Sequence, residues 1–167
     1  MKNTDNLSTN YSTFSLNVLK TKSHPFWRWF WLTFLMVSLA YAWYSFYVPS
    51  SDIGWANSMD SARELARDSN TNILLFFTGK WCVPCRVMKR EVFADKEVMK
   101  AINSQFVPVI INIDDPNAED LIMQYKVGTT PITIFTNPEG EVIDYAVGKI
   151  GKTKFLEMLK TLGTEGF

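Results

Sequence analysis

The sequence predicts an α/β domain, a mixed central sheet flanked by helices, preceded by one N-terminal transmembrane helix. Three observations predict it. No residue from Trp29 to Ser51 is charged, and about 20 apolar residues are enough to span a bilayer as a helix. After that run, helical and strand patterns alternate in the order αβααβαββα without internal repeats, which implies helices on both faces of a mixed sheet. The two cysteines of the chain, Cys82 and Cys85, form a C-x-x-C where the first of those strands gives way to a helix. The 167 residues, 47% of them hydrophobic, are enough for one packed domain and an appendage.

Residues 1–25 are rich in Asn, Ser, Thr and Lys and lack apolar periodicity, which reads as a disordered cytoplasmic tail. His24, the sole histidine, stands beside Pro25 at the membrane edge with no partner for base catalysis nearby in sequence. Residues 26–48 are expected to be the membrane anchor. Trp27, Trp29 and Trp31 at one end and Trp43, Tyr44 and Tyr47 at the other fit interfacial belts, because indole and phenol rings partition half into hydrocarbon. Lys20, Lys22 and Arg28 flank the N-terminal side, whereas the first basic residue on the other side is Arg63. The positive-inside bias therefore keeps the N-terminus in the cytoplasm and exports the C-terminal domain. The alternative is a signal peptide cleaved after Ala42, with Ala40-Tyr41-Ala42 as the small-residue site. The length of the apolar run and of the polar leader favours the anchor, and both readings export the domain.

Residues 53–167 form the exported domain. Ser58 or Asp60 caps a helix carrying Ala62, Leu65 and Ala66, and Asp68-Ser69-Asn70 breaks it. Ile73-Leu74-Leu75-Phe76-Phe77 is a continuous apolar run, as expected of a strand covered on both faces. A helix from Val83 to about Glu91 and another from Lys96 to Ile102 are separated by Phe93-Ala94-Asp95, with Asp95 as cap. Phe106 to Ile113 again reads as a buried strand, Asp120 to Tyr125 as a short helix and Ile132 to Phe135 as a β-branched strand. Asn137-Pro138-Glu139-Gly140 supplies the turn into Val142 to Ala146. A last amphipathic helix gathers Phe155, Leu156, Leu159 and Leu162 on one side.

Charge and cysteine count exclude several functions. The net charge of zero conceals a basic N-terminal segment, where Lys2, Lys20, Lys22 and Arg28 outnumber Asp5, and so leaves the exported part mildly acidic. That part offers no basic stripe for nucleic acid. At a helix N-terminus the free N–H groups and the dipole favour a thiolate, so Cys82 is expected to be the exposed nucleophile. Cys85, one turn in, would resolve the mixed disulfide, and Val83 and Pro84 open the helix, where the N–H that proline lacks costs little. A structural zinc site needs about four ligands, and the exported part has two cysteines and no histidine. Covalent haem needs a histidine where Arg86 stands. A purely structural staple closes too short a loop to constrain the unfolded chain much. Copper held by two thiolates stays open, although Met88 is the one further soft ligand on that helix. No cofactor and no metal are expected.

Phe77-Thr78-Gly79-Lys80-Trp81-Cys82-Val83-Pro84-Cys85, then Asn112-Ile113-Asp114, Gly128-Thr129-Thr130-Pro131, Phe135, Gly140 and Gly148, resemble the thioredoxin superfamily over about residues 60–162. The W-C-V-x-C motif and Phe93-Ala94-Asp95 are most similar to membrane-tethered bacterial thioredoxins and the exported domain of DsbD. The resemblance implies a thioredoxin fold with a cis Thr130-Pro131 bond beside the cysteines, and a substrate surface formed by Trp81, Thr130 and Pro131. It also implies a domain on the periplasmic side of a bacterial inner membrane, acting on disulfide-containing proteins and recharged by a membrane electron donor.

The chain departs from the family at two positions. Where thioredoxins place a buried Asp and a buried Lys, this chain has Phe76 and Ile110. Losing both charges together strands neither, but it removes the usual proton acceptor for Cys85. Water, a peripheral carboxylate or the bound partner is expected to replace it. Val83-Pro84 adds no charge or donor between the cysteines, so the expected potential lies toward the reducing end, on the order of −200 to −270 mV.

Overall fold

The computed structural model describes residues 25–164, in two units, residues 1–47 and 48–167. The expected tail lies outside the described residues except for Pro25, which opens helix α1 (Pro25–Phe46). That helix is long and apolar enough to cross a membrane, and none of its residues is buried. Its rings stack along one another, with Trp27 and Trp31 centroids 6.0 Å apart and Trp31 and Phe34 also 6.0 Å apart.

The second unit follows the predicted order: α2 (Met59–Ser69), β1 (Asn72–Thr78), α3 (Val83–Met88), α4 (Lys96–Gln105), β2 (Phe106–Asn112), α5 (Glu119–Gln124), β3 (Ile132–Thr136), β4 (Val142–Val147) and α6 (Lys152–Thr164). The strands form one mixed sheet ordered β2-β1-β3-β4, parallel between β1 and β2 and antiparallel elsewhere. Ala56 adds a parallel bridge to Val109 beyond β2. Because side chains alternate across a strand, β1 feeds two cores. Leu74 and Phe76 join Met88, Phe93, Ile102, Phe155 and Leu159 under α3, α4 and α6, while Ile73, Leu75 and Phe77 join Met59, Ala62, Ala66 and Ala118 under α2 and α5.

Local chemistry sets the boundaries. Ser58 caps α2 through a reciprocal pair with Ser61, and Asn70 ends it in the left-handed region at φ 50°. Leu65, expected on the apolar side, is exposed; the buried stripe is Met59, Ala62 and Ala66. The active-site helix stops being α-helical earlier than predicted, at Met88, and continues as a π-turn over Lys89–Phe93 that delivers Val92 and Phe93 to the core. Wider turns of this kind often occur at functional sites. β2 is not uniformly buried: Ile110 is 37% exposed, as is Ile113 just beyond the strand, because β2 is an edge strand of the sheet. Gly140, at φ +92°, closes the β3–β4 hairpin, with Asn137 accepting the N–H of Gly140 on its carbonyl.

Asp95 caps α4, accepting from the N–H groups of Glu97 and Val98, and pairs with Lys152 at 2.9 Å. The hydrogen bond from Lys152 holds the Asp95 carboxyl below its ordinary range; partial desolvation opposes this and the two backbone donors assist. A carboxyl depressed in the fold stabilises it above the unfolded pKa and loses that contribution as pH falls through the folded value. Asp95→Ala therefore lowers the melting temperature at neutral pH, and the gap to wild type narrows toward acid. Thermal denaturation across a pH series tests this, and a gap independent of pH contradicts it.

Candidate functional site

β1 leads into the cysteines through a tightly fixed turn. Ile113 donates its N–H to the Thr78 carbonyl at 2.8 Å, and Asp114 accepts the Lys80 N–H at 2.6 Å, so the Asn112-Ile113-Asp114 segment pins Gly79 and Lys80. Cys82 donates its N–H to the Gly79 carbonyl at 3.2 Å and serves as the N-cap of α3. Its Sγ accepts the Cys85 N–H at 3.2 Å, and Pro84 sits in the first turn. The helix thus begins with one backbone donor, the Cys85 N–H, aimed at the Cys82 sulfur, an arrangement that favours negative charge there.

Cys82 and Cys85 are joined as a disulfide with Cα atoms 5.2 Å apart, within the span such a bond requires. Their environments differ. Cys85 is 1% exposed and belongs to the core, whereas Cys82 is half-buried and only packs against it. Trp81, just before them, is 85% exposed, and Val83 is exposed as well.

The Thr130-Pro131 bond is cis, as the resemblance implied. Ile132 pairs with Phe77 at the start of β3, so the cis bond lies at the same end of the sheet as Thr78, from which the chain enters the cysteine turn. Pro131 is buried and its carbonyl accepts the Gly148 N–H at 2.8 Å, while Thr130 is half-buried. Trp81, Cys82, Val83, Pro84 and Cys85 are contiguous, and the register brings the Thr130-Pro131 pair to their end of the sheet.

Below Cys85, one row of the sheet runs Ile110, Phe76, Thr133, Ala146. Phe76 is fully buried in the same core as Cys85, as expected. Ile110, expected to be buried as well, is partly exposed at the outer strand, so the position usually given to a buried Lys is not sealed here. The row has no carboxylate. Sequence reading missed two polar groups beside it. The Thr133 hydroxyl is buried with no hydrogen-bond partner among the described residues. Lys89 places its Nζ 6.0 Å from the Phe76 ring centroid, and burial pushes its pKa down. Its position four residues after Cys85 was the available signal. Among the described residues no group of three or more His, Cys, Asp and Glu could hold a metal ion.

Residues 59–163 match the thioredoxin-like domain family. The chain belongs to that family. An 84-residue stretch is 30% identical to thiol:disulfide interchange protein DsbD 2 of Pseudomonas aeruginosa, covering 50% of this chain and 14% of that protein. Thioredoxin H5 of Arabidopsis thaliana is 34% identical over 83 residues, which are 50% of this chain and 64% of that one. The solution structure of a thioredoxin from Thermus thermophilus superposes with a TM-score of 0.62 at 24% identity, covering 68% of this chain and 89% of its own. A DsbH oxidoreductase does so at 0.59 and 22% identity, covering 70% and 88%. These structural likenesses establish the thioredoxin fold. This thioredoxin-like chain spans about a seventh of the length of the DsbD protein it matches, so the kinship concerns that stretch alone. Kinship to thiol:disulfide interchange proteins, together with the Cys82–Cys85 pair, supports a general thiol-disulfide role.

The difference in burial predicts a difference in reactivity. In the reduced full-length protein, iodoacetamide modifies Cys82 more than about tenfold faster than Cys85. Peptide mass spectrometry over a time course measures this, and equal rates would contradict the assignment of the outer cysteine.

Proposed function

We propose that the protein is a membrane-tethered periplasmic reductase that relays electrons to protein disulfides, with Cys82 as nucleophile and Cys85 as resolving thiol. The observation that carries this reading is the disulfide itself: Cys82, half-exposed, caps α3, and Cys85, one turn in, is in the core. In the reduced state the Cys82 thiolate attacks a client disulfide, forming a mixed disulfide and releasing the first client thiolate. Cys85 then attacks the Cys82 sulfur, the Cys82–Cys85 bond forms, and the second client thiolate leaves with the electron pair. Trp81, Thr130 and Pro131 provide the docking surface, exposed Trp81 by apolar contact and the backbone at Thr130 by pairing with an extended client segment.

Helix α1 supports the tether, since its length and composition suffice to cross a bilayer. The charge bias around it supports a single pass through a bacterial inner membrane, with the N-terminus cytoplasmic and the catalytic domain periplasmic. A reductase working in an oxidising compartment must be recharged, which implies a membrane electron donor beside the anchor. The lack of charged or donor groups at Val83 and Pro84 supports a potential of about −200 to −270 mV.

Insulin reduction by the full chain in detergent tests the activity: wild type turns over and Cys82→Ser does not. Equal, negligible activity in both would replace this reading with a redox-inactive peptide-binding module. Equilibration with glutathione tests the direction, and a midpoint near about −120 mV would make the protein an oxidant instead.

A further inference from the structure

The sheet row beneath the cysteines carries no carboxylate, and one charged side chain reaches over it from the helix above. Lys89 lies one helical turn beyond Cys85, on the same side of the active-site helix. It is half-buried, and its Nζ stands over Phe76, which is fully buried in the core that also holds Cys85. Among the described residues the Lys89 side chain has no carboxylate partner and no hydrogen bond.

The carboxylates on the π-turn and on α4 nearest to it are already engaged. On the π-turn, Glu91 pairs with Lys149 at 3.0 Å and Arg90 at 4.0 Å. On α4, Asp95 and Glu97 both pair with Lys152 of α6, at 2.9 and 3.3 Å. β1 and β3, which lie beneath, carry no charged residue. Asp114 is bound to the Lys80 N–H, Asp144 of β4 accepts the N–H of Tyr145, and Arg86 of α3 donates to the Lys80 carbonyl. A partly desolvated cation without a counter-ion is costly, and burial lowers the Lys89 pKa accordingly. The anion that disulfide exchange creates one helical turn before it, in the core that Phe76 shares, is the Cys85 thiolate.

We propose that Lys89 acts as the electrostatic partner of Cys85, stabilising its thiolate in the dithiol and mixed-disulfide states and so speeding closure of the Cys82–Cys85 bond. Lys89 does so as the ammonium, positioned over Phe76 where a carboxylate would otherwise accept a proton. The Cys85 proton leaves to solvent, the thiolate attacks the Cys82 sulfur, and the departing client thiolate takes up a proton in turn. Lys89 neither gains nor loses a proton in the step. This role rests on the proposed thiol-disulfide activity and specifies how its resolving half proceeds without a buried acid.

The test uses the full chain carrying Cys82→Ser, in which ultraviolet thiolate absorbance across a pH series reports Cys85 alone. Lys89→Met, which keeps the packing over Phe76, is expected to lower the Cys85 thiolate fraction at neutral pH about tenfold. Lys89→Arg, which keeps the charge, is expected to restore most of it. Lys89→Gln serves as a second neutral variant, with circular dichroism to confirm that each is folded. An unchanged thiolate fraction in the folded neutral variant overturns the role of Lys89. Insulin reduction by wild type, run alongside, separates the two ideas: inactivity there would sink the reductase reading while the titration still decides Lys89.

Discussion

The active-site geometry depends on a buried aromatic stack beneath α3. Phe93 sits at its centre, 4.7 Å from Phe76, 5.5 Å from Phe155 and 5.5 Å from Trp55 between ring centroids, each pair edge to face. Those contacts join β1, which delivers the cysteines, to the π-turn that ends their helix, to α6 and to the segment before α2. Edge-to-face pairs add about 0.5–1.5 kcal/mol each beyond the burial of their area. The stack fixes the far end of the short helix that carries Cys82 and Cys85, and backbone contacts fix its start. One end is held by the Ile113 and Asp114 contacts, the other by Phe93.

The same apolar packing determines the chemistry. Phe76 contributes to the stack and shares its core with Cys85, at the position where the resemblance to thioredoxins would place a buried Asp. A charge there would have to be desolvated inside an aromatic core, at a cost an ion pair repays only with excellent geometry. Removing both charges of the usual pair avoids that cost and leaves the resolving cysteine in a dry site. What remains nearby is a cation on the helix and an orphan hydroxyl on the sheet, Lys89 and Thr133.

Much of this was legible in the sequence because the relevant signals are local. The continuous apolar run of β1, the β-branched content of β3, the Asp95 cap and the turn at Asn137 to Gly140 each follow from residue types at fixed spacing. The C-x-x-C at a strand-to-helix junction gave the unequal cysteines by the same logic. The cis Thr130-Pro131 bond was legible only through family resemblance, since nothing in a lone X–Pro pair marks its isomer. The π-turn was not legible, because Lys89 to Phe93 reads as ordinary helix until tertiary packing draws Phe93 inward. Nor was the exposure of Ile110. An apolar run does not say which strand will be outermost, and that is settled by sheet order, a property of the whole chain. Lys89 was visible as a letter but not as a site, because its meaning depends on the Phe76 ring beneath it and on which carboxylates its neighbours have already paired.

The central claim is that Cys82 makes the bond to a client disulfide and Cys85 breaks it. The most direct measurement is mass spectrometry of covalent complexes formed by full-length single-cysteine variants with a disulfide-containing peptide. Cys85→Ala should accumulate a stable mixed disulfide through Cys82, and Cys82→Ala should accumulate almost none. Trapping of equal amounts through Cys85 in the second variant would contradict the account.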